Sequence, residues 1–427
     1  MSGIEVKELG EYIPKEKCTI SLNKLKEFVN VPYYIPWYFS SESNKVFPLF
    51  LQEISDLNPT KWQIPGILTR NPFFDHTQIK YFAAYKNEQP VGRIMVYKDY
   101  KYNEFNGGDF GWFGLFESID DKFVAKHLLE TATEYLKQNG CKKVLGPAKF
   151  NANGEIGLLI EGFDKKPYFM EPYNTPYYHE FFESFGFEKE NDWFSMHTNE
   201  ELSKKYMEKI ENLMKLTKGT KRDPLSNGFV IRNIDFKNIK NEIKIIKSLY
   251  NPIWNEGTHP QFVQMTDAEF NGLAAGIKTV ALEDLIFIVE KEIESNQMKP
   301  IGVSVSVPNI NEVINEYDLK IKDYVPSKKF LNFKDLKRDI SIFDNMNKCL
   351  KEKNFKSMRI LILGVEKKYR LSGIDAWLYY ETARKALSIG IKEASGSELA
   401  DINFDITNPL FKMGEKAMTW RVYYLNV

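Results

Sequence analysis

Hydrophobic and polar positions alternate from Ile79 to Tyr85 (IKYFAAY), break at the polar run KNEQ, and resume in PVGRIMVY from Pro90 to Tyr97. This pattern predicts an antiparallel hairpin. About 200 residues later the chain repeats itself: LIFIVEKE, a polar turn, then PIGVSVSV from Pro300 to Val307. Both second strands enter through a Pro, an apolar residue and a Gly.

The elements that follow also correspond. In the first half, a strand at Phe110–Phe116 leads into a helix from about Asp121 to Gln138, with Phe123, Val124, His127, Leu128, Thr131, Tyr135 and Leu136 on a 3.6-residue period and Gly140 as its stop. In the second half, the strand Met358–Val365 leads into a helix from about Ser372 to Ser388, stopped by Gly390. Each half then predicts a short strand, a short helix, and a closing Gly followed by an aromatic-rich strand (Ser184–His197 and Lys412–Leu425). Between the halves lies a charged amphipathic helix, Asn199 to Gly219, and a turn-rich TKRDPLSNG. The reading is α/β (α+β), with an N-terminal domain over 1–198, a connecting helix and linker over 199–228, and a C-terminal domain over 229–427. Each domain is expected to hold a mixed, mostly antiparallel sheet flanked by helices.

A length of 427 residues fits this division into two domains. Lys plus Arg and Asp plus Glu both number 58, so no general basic excess marks a nucleic-acid binder. Cys18, Cys141 and Cys349 are too few and too scattered for a disulfide framework or a metal knuckle. No apolar run reaches the length of a membrane span, and the N-terminus has no apolar signal core, so a cytoplasmic location is expected.

The stretch ILILGVEKKYRLSGIDAWLYYETARKALSIGIKEA (Ile360–Ala394) resembles the acyl-CoA signature of the GNAT superfamily of N-acyltransferases, in which a strand is followed by Arg/Gln-x-x-Gly-x-Gly/Ala and a long helix. Arg370 and Gly373 match, while Asp375 replaces the last small residue. The segment ELADINFDITNPLFKMG resembles the superfamily's second motif, with Asn403 opening its short helix and Gly414 closing it. From about residue 28 onward the chain is similar to bacterial proteins with two GNAT halves in tandem. The resemblance implies acetyl-CoA or another acyl-CoA as co-substrate, with no metal.

The chemistry behind that expectation is anion binding. The first N–H groups of a helix lack intrahelical partners, and the dipole adds roughly half a positive charge there. The loop Arg370-Leu371-Ser372-Gly373-Ile374, after Lys367 and Lys368, is the expected pyrophosphate site, and Leu363 and Val365 are expected to offer backbone to the pantetheine arm. An ordinary capped helix would carry Asp375 equally well. In the first half, Glu117, Asp120 and Asp121 stand where a phosphate would be, so that half is expected to lack the pyrophosphate loop.

Many relatives carry a Tyr four residues before the closing Gly; here those positions are Phe182 and Leu410. Glu117, Tyr423 and Tyr424 are the substitute catalytic candidates, against packing or solvated roles. The polar-aromatic insert Gly146–Tyr178 offers Asn151, Asn153, Glu155, Tyr173 and Asn174 to a substrate, with Phe150 or Tyr177 beneath its apolar part, or else is a decorated hairpin. Trp254, Asn255 and His259 form a similar loop, with His259 read as a surface residue. Gly107 and Gly108 read as a hairpin turn and Lys98–Phe105 as a solvated strand edge. The five histidines show no metal-ligand spacing.

The expected function is transfer of an acyl group, most simply acetyl, to an amine of a small molecule or peptide, without nucleic-acid or membrane partners. Two alternatives stay open: a non-catalytic binding protein for CoA or a metabolite, and an aminoacyl transferase of the Fem type.

Overall fold

The computed structural model describes residues 3–427 apart from 61–68, 151, 221–222, 256–258, 295–296, 321–325, 328–331, 371 and 404–412. The chain divides into two compact units. Unit 1 comprises residues 1–193, 313–345 and 418–427, and unit 2 comprises 194–312 and 346–417.

Unit 1 begins with β1 (Ile4–Ile13), β2 (Lys17–Cys18), α1 (Leu22–Asn30) and α2 (Phe50–Asp56). The hairpin expected from the alternation follows as β3 (Thr77–Lys86) and β4 (Gln89–Asp99), and β1 pairs antiparallel with β3. The next element, α3 (Tyr100–Asn106), corrects the expected strand edge and hairpin turn. Asp99 caps it by accepting from Lys101 N and Tyr102 N, and Gly107 ends it at φ +65°. An Asp and a Gly eight residues apart frame two turns of helix better than a loop. Then come β5 (Phe110–Ser118), α4 (Lys122–Gln138), β6 (Lys143–Gly146), β7 (Leu158–Glu161), α5 (Tyr178–Phe185) and β8 (Glu188–Thr198).

Helix α4 buries Val124, Ala125, Leu128, Leu129, Ala132 and Leu136. Phe123, expected on the apolar face, is 52% exposed instead. The small residues Ala125 and Ala132 shift the apolar stripe by a residue and let the helix lie close on the sheet. Its core joins Ile94, Phe113, Phe116, Phe182 and Tyr423.

Unit 2 contains α6 (Glu200–Thr217), β9 (Phe229–Asn233), α7 (Ile239–Trp254), α8 (Asp267–Lys278), β10 (Ile286–Glu294) and β11 (Gln297–Pro308). The helices α9 (Asn311–Lys320) and α10 (Phe333–Glu352) carry the segment 313–345 that belongs to unit 1. In unit 1 that segment is held by charge. Lys26 Nζ on α1 pairs with Asp335, both fully buried, and Arg338 binds Asp318 at 2.7 Å and the carbonyls of Phe47 and Pro48. Unit 2 continues with β12 (Ser357–Val365), α11 (Ile374–Ser388) and β13 (Glu393–Ala400).

The last strand, β14 (Glu415–Asn426), crosses the division, and its end joins unit 1. There it pairs antiparallel with β6 and β7. The strand order is thus β2-β1-β3-β4-β5-β6-β14 in unit 1 and β9-β10-β11-β12-β13 in unit 2. In each unit one pair is parallel, β5 with β6 and β12 with β13. Among the described residues no helix is long and apolar enough to cross a membrane.

Candidate functional site

The two parallel pairs share a geometry. In unit 2, β12 and β13 face each other from Ser357↔Glu393 to Ile360↔Gly396, and the register stops there. On its other edge β12 pairs with β11, but the register slips between Val305↔Ile362 and Ser306↔Ile360, leaving Leu361 as a bulge. A bulge bends and twists its strand. The stretch after Ile360 therefore turns away from β13 and leaves backbone beside the gap. In unit 1, β5 and β6 face each other only from Phe110↔Lys143 to Trp112↔Leu145. The matching bulge is at Leu115, φ +49°, between Met95↔Gly114 and Arg93↔Glu117. Here the chain beyond β6 stays close, with Ala148 N donating to Phe113 O at 2.9 Å.

The strand β12 leads through Lys367–Tyr369 to α11, whose N-cap is Gly373 at φ +83°. A side chain there would meet the left-handed penalty, so glycine sets the turn that aims the first N–H groups of the helix. Arg370 Nε donates to Val365 O at 3.1 Å, and Ser372 donates to Tyr369 O. One of the two expected strand carbonyls, that of Val365, is therefore already bonded. Leu363, opposite Ser304, lies beyond the parallel register. Ile374 is a core residue, fully buried with Trp377 and Leu378. Leu371, Asn151 and the short second-motif helix with Leu410 lie outside the described residues.

Three residues of unit 2, two from the Trp254–His259 loop and Asn403 from the second motif, meet beside this strand. The indole of Trp254 packs on the β12 backbone at Gly364, where an added Cβ would come within 2.9 Å of it. Trp254 stacks on Tyr250 and lies 5.6 Å, ring to ring, from His259. His259 Nε2 is 3.4 Å from Asn403 Nδ2, just past the end of β13. His259, read as a surface residue, is thus half-buried between the two elements that flank the gap. Asn255 is exposed and ends α7 through a bond to Asn251 O.

Unit 1 gathers the other candidates around Glu117, which is 5% exposed. Tyr38 Oη donates to Glu117 Oε2 at 2.5 Å and Tyr178 Oη at 2.9 Å, while Lys45 and Arg93 each come within 3.7 Å of Oε1. Burial, and then the Glu117 charge, hold both phenols well above their ordinary range, so they remain donors. Lys45 also donates to Tyr173 O, and Tyr173 Oη donates to Phe163 O. Nearby, Lys149 binds Glu53 at 2.7 Å and Asp56 at 2.9 Å, with Glu155 at 3.9 Å. Burial alone would lower the Lys149 ammonium; Asp56 and Glu53 outweigh it and hold it well above its ordinary value. Tyr38, Lys45, Glu53 and Arg93 were absent from the sequence reading, since nothing local ties them to Glu117. Asn174 bonds the backbone of Leu159 and Thr175, which makes it a loop brace. Tyr423 is fully buried with its hydroxyl on His179, and Tyr424 donates to Glu188 at 2.5 Å. Among the described residues no cluster of His, Cys, Asp or Glu could hold a metal ion.

Residues 45–154 match the profile of the Acetyltransferase (GNAT) family. That stretch is therefore similar to the GNAT family, and the chain has a GNAT-like fold. The match spans β3 to β6, including the bulged strand and its parallel partner, and lies in the half without the Arg-x-x-Gly loop. The fold also matches the GCN5-related glucosamine N-acetyltransferase region of a fungal multi-domain GH3 β-N-acetylglucosaminidase, with TM-score 0.51 and 11% identity over 100% of this chain and 38% of that one. In sequence the chain is 26% identical to "Bacterial ceramide synthase" of Caulobacter vibrioides over 406 residues, 94% of each protein. It is 28% identical to "Protein YghO" of Escherichia coli K12 over 412 residues, 95% of this chain and 93% of that one.

Proposed function

We propose that this chain is an N-acyltransferase that takes its acyl group from an acyl-CoA held by unit 2 and passes it to a primary amine. The observation that carries this reading is the parting of β12 from β13 beyond Ile360↔Gly396, with Gly373 turning the chain into α11 at the far end of the parted strand. The stretch from Ile360 to Val365 gives about 17 Å of strand edge at the usual rise per residue. That is room for an extended arm bearing two amides.

When bound, an acyl-CoA supplies a thioester whose carbon accepts the amine as the carbon–sulfur bond breaks. The N–H groups at the start of α11, with Lys367 and Lys368 before them, fit the pyrophosphate. Asp375 and Glu366 oppose it, so the charge there is only modestly favourable. His259 is the group beside the gap able to take the ammonium proton, and Asn403 and Trp254 orient its ring. The released thiolate takes up one proton to leave as free thiol. In unit 1 the gap beside β5 is crossed by Ala148 and followed by Glu117, Asp120 and Asp121, which supports a half without pyrophosphate binding.

The full-length likeness to a protein named for ceramide synthesis supports, for the acceptor, an amine on a long-chain amino alcohol, because a ceramide is the N-acyl derivative of one. The test is calorimetry with acyl-CoAs, then free-thiol release with amino alcohols of increasing chain length. Absence of binding at millimolar acyl-CoA overturns the reading. Binding without thiol release from any amine leaves a CoA-binding protein.

A further inference from the structure

Unit 2 holds a narrow, partly open slot between the sheet and two helices. Its floor is the paired stretch of β12 and β13, including Met358, Ile360, Ala394 and Gly396. Its walls are α11, through Tyr379 and Ala383, and α6, through Tyr206 and Met207. Helix α6 therefore does more than connect two halves. Tyr380 Oη ties it to α11 by donating to Glu211 at 2.8 Å, and Ile210 and Met214 seal the far side.

Three features restrict what the slot can take. Its lining is overwhelmingly carbon and sulfur, with Met196, Met207, Met358 and Met413 among the side chains, and methionines adapt to flexible apolar guests. One of its hydroxyls, Thr382 Oγ1, is already paired with Ser304, and its charged lining residues are Lys392 and Glu393. Its position is the third. Ile360 and Gly396 are both slot lining and the last facing pair of β12 and β13. An arm that starts at the head of α11 and runs back along the parted strand ends at that pair, where the slot begins. A Cβ built on Gly396 would enter the slot and meet only the Met196 methyl, at 3.9 Å.

We propose that this slot receives the hydrocarbon tail of a fatty acyl-CoA, so that α6 and α11 of unit 2 set the preference for acyl-chain length. The proposal rests on the acyl-CoA reading above and adds the chain and its seat.

The experiment compares CoA, acetyl-CoA and palmitoyl-CoA by calorimetry on the full chain, in the wild type, Gly396→Leu and Ala383→Phe. Wild-type protein is expected to bind palmitoyl-CoA at least about tenfold more tightly than acetyl-CoA, since burying two methylenes already supplies that ratio. Either filled-slot variant is expected to reduce the ratio at least about fourfold, the loss of roughly one methylene's worth of burial. A palmitoyl-CoA with a photoreactive diazirine at its chain end, used on wild-type protein, is expected to label peptides of α6, α11 or the paired stretch of β12 and β13. That readout requires no substitution to fold. If all three compounds fail to bind, the acyl-CoA reading falls and takes the slot with it. If CoA and acetyl-CoA bind but palmitoyl-CoA gains nothing, or the label lands outside α6, α11 and the paired stretch of β12 and β13, the slot assignment is wrong while the acyl-CoA reading stands.

Discussion

Ile360 and Gly396 are the last facing residues of two parallel strands, and what happens on either side of them differs. Behind the pair the strands floor an apolar slot; ahead of it a bulge at Leu361 carries β12 away toward Gly373. Trp112 and Leu145 hold the same place in unit 1, where Ala148 bonds Phe113 across the corresponding gap. One architecture is thus used twice with different openings.

Gly373 is the residue on which the far end depends. Its φ of +83° costs a residue with a Cβ about 1–2 kcal/mol. Gly373→Ala is expected to lower stability by that amount and to weaken acyl-CoA binding by re-aiming the first turn of α11. Gly373→Glu adds a carboxylate beside the phosphates and is expected to weaken binding further at matched stability. Equal affinity of both variants and wild type, by calorimetry, would place the pyrophosphate elsewhere.

The buried pair between Lys26 and Asp335 links α1 to a segment 309 residues away. Removing one partner strands a charge, which costs about 3–5 kcal/mol, whereas replacing both with apolar residues is often neutral. Asp335→Asn is expected to be strongly destabilising and Lys26→Met with Asp335→Leu much less so. Denaturant unfolding of the three proteins checks the order. If the double variant is no better than the single one, hydrogen bonds around the pair carry its value rather than the charge.

Much of this fold is legible in the sequence because it rests on local rules. Strand alternation places the two hairpins, and stop glycines at Gly140 and Gly390 end the helices they were expected to end. At α3 the local signal is the pair of cap residues, Asp99 and Gly107, which outweighs the alternation of Lys and Tyr between them. Long-range placement is another matter. That β14 pairs with β6, and that residues 313–345 pack in unit 1, follows from no periodicity. The same holds for the sites. Arg370 and Gly373 stand in one loop and could be read together, but Trp254, His259 and Asn403 converge only after β12 and β13 are in place.

Acid should loosen the closing strand of unit 1. Arg421 on β14 grips Asp192 on β8 with two bonds, Nε to Oδ1 at 2.8 Å and Nη2 to Oδ2 at 3.1 Å. Burial raises the Asp192 carboxyl, but the bonds from Arg421 and Lys189 outweigh it and hold it below its ordinary 3.8. A carboxyl with a depressed folded value stabilises fully above the unfolded value and loses that contribution as pH falls through the folded one. Wild type is therefore expected to exceed Asp192→Asn in stability at neutral pH, with the gap closing below about pH 4. A gap that persists unchanged at pH 2 would mean the ion pair contributes through shape alone.

Glu117 and His259 are the two candidates for taking the ammonium proton in the proposed reaction, and their surroundings predict different behaviour on substitution. Glu117 answers two phenols and lies near the buried Arg93 and the partly buried Lys45, so Glu117→Gln removes the counter-charge beside both. The expected result is a loss of stability on the order of 3 kcal/mol, with any fall in rate tracking the unfolded fraction. His259 is half-buried, packed on Trp254 and beside Asn403, and His259→Ala is expected to fold. A general base typically contributes about 10²–10⁴ in rate. His259→Ala is therefore expected to lower kcat by at least about 100-fold, with KM for acyl-CoA little changed and the acid limb of the pH–rate profile lost. The reverse pattern, an active His259→Ala beside a stable but inactive Glu117→Gln, would move the proton transfer to the carboxylate of unit 1. The tyrosines would then be its orienting partners, and Tyr178→Phe would lower kcat without shifting the melting temperature. Under the reading favoured here Tyr178→Phe costs about 1 kcal/mol of stability and leaves kcat alone.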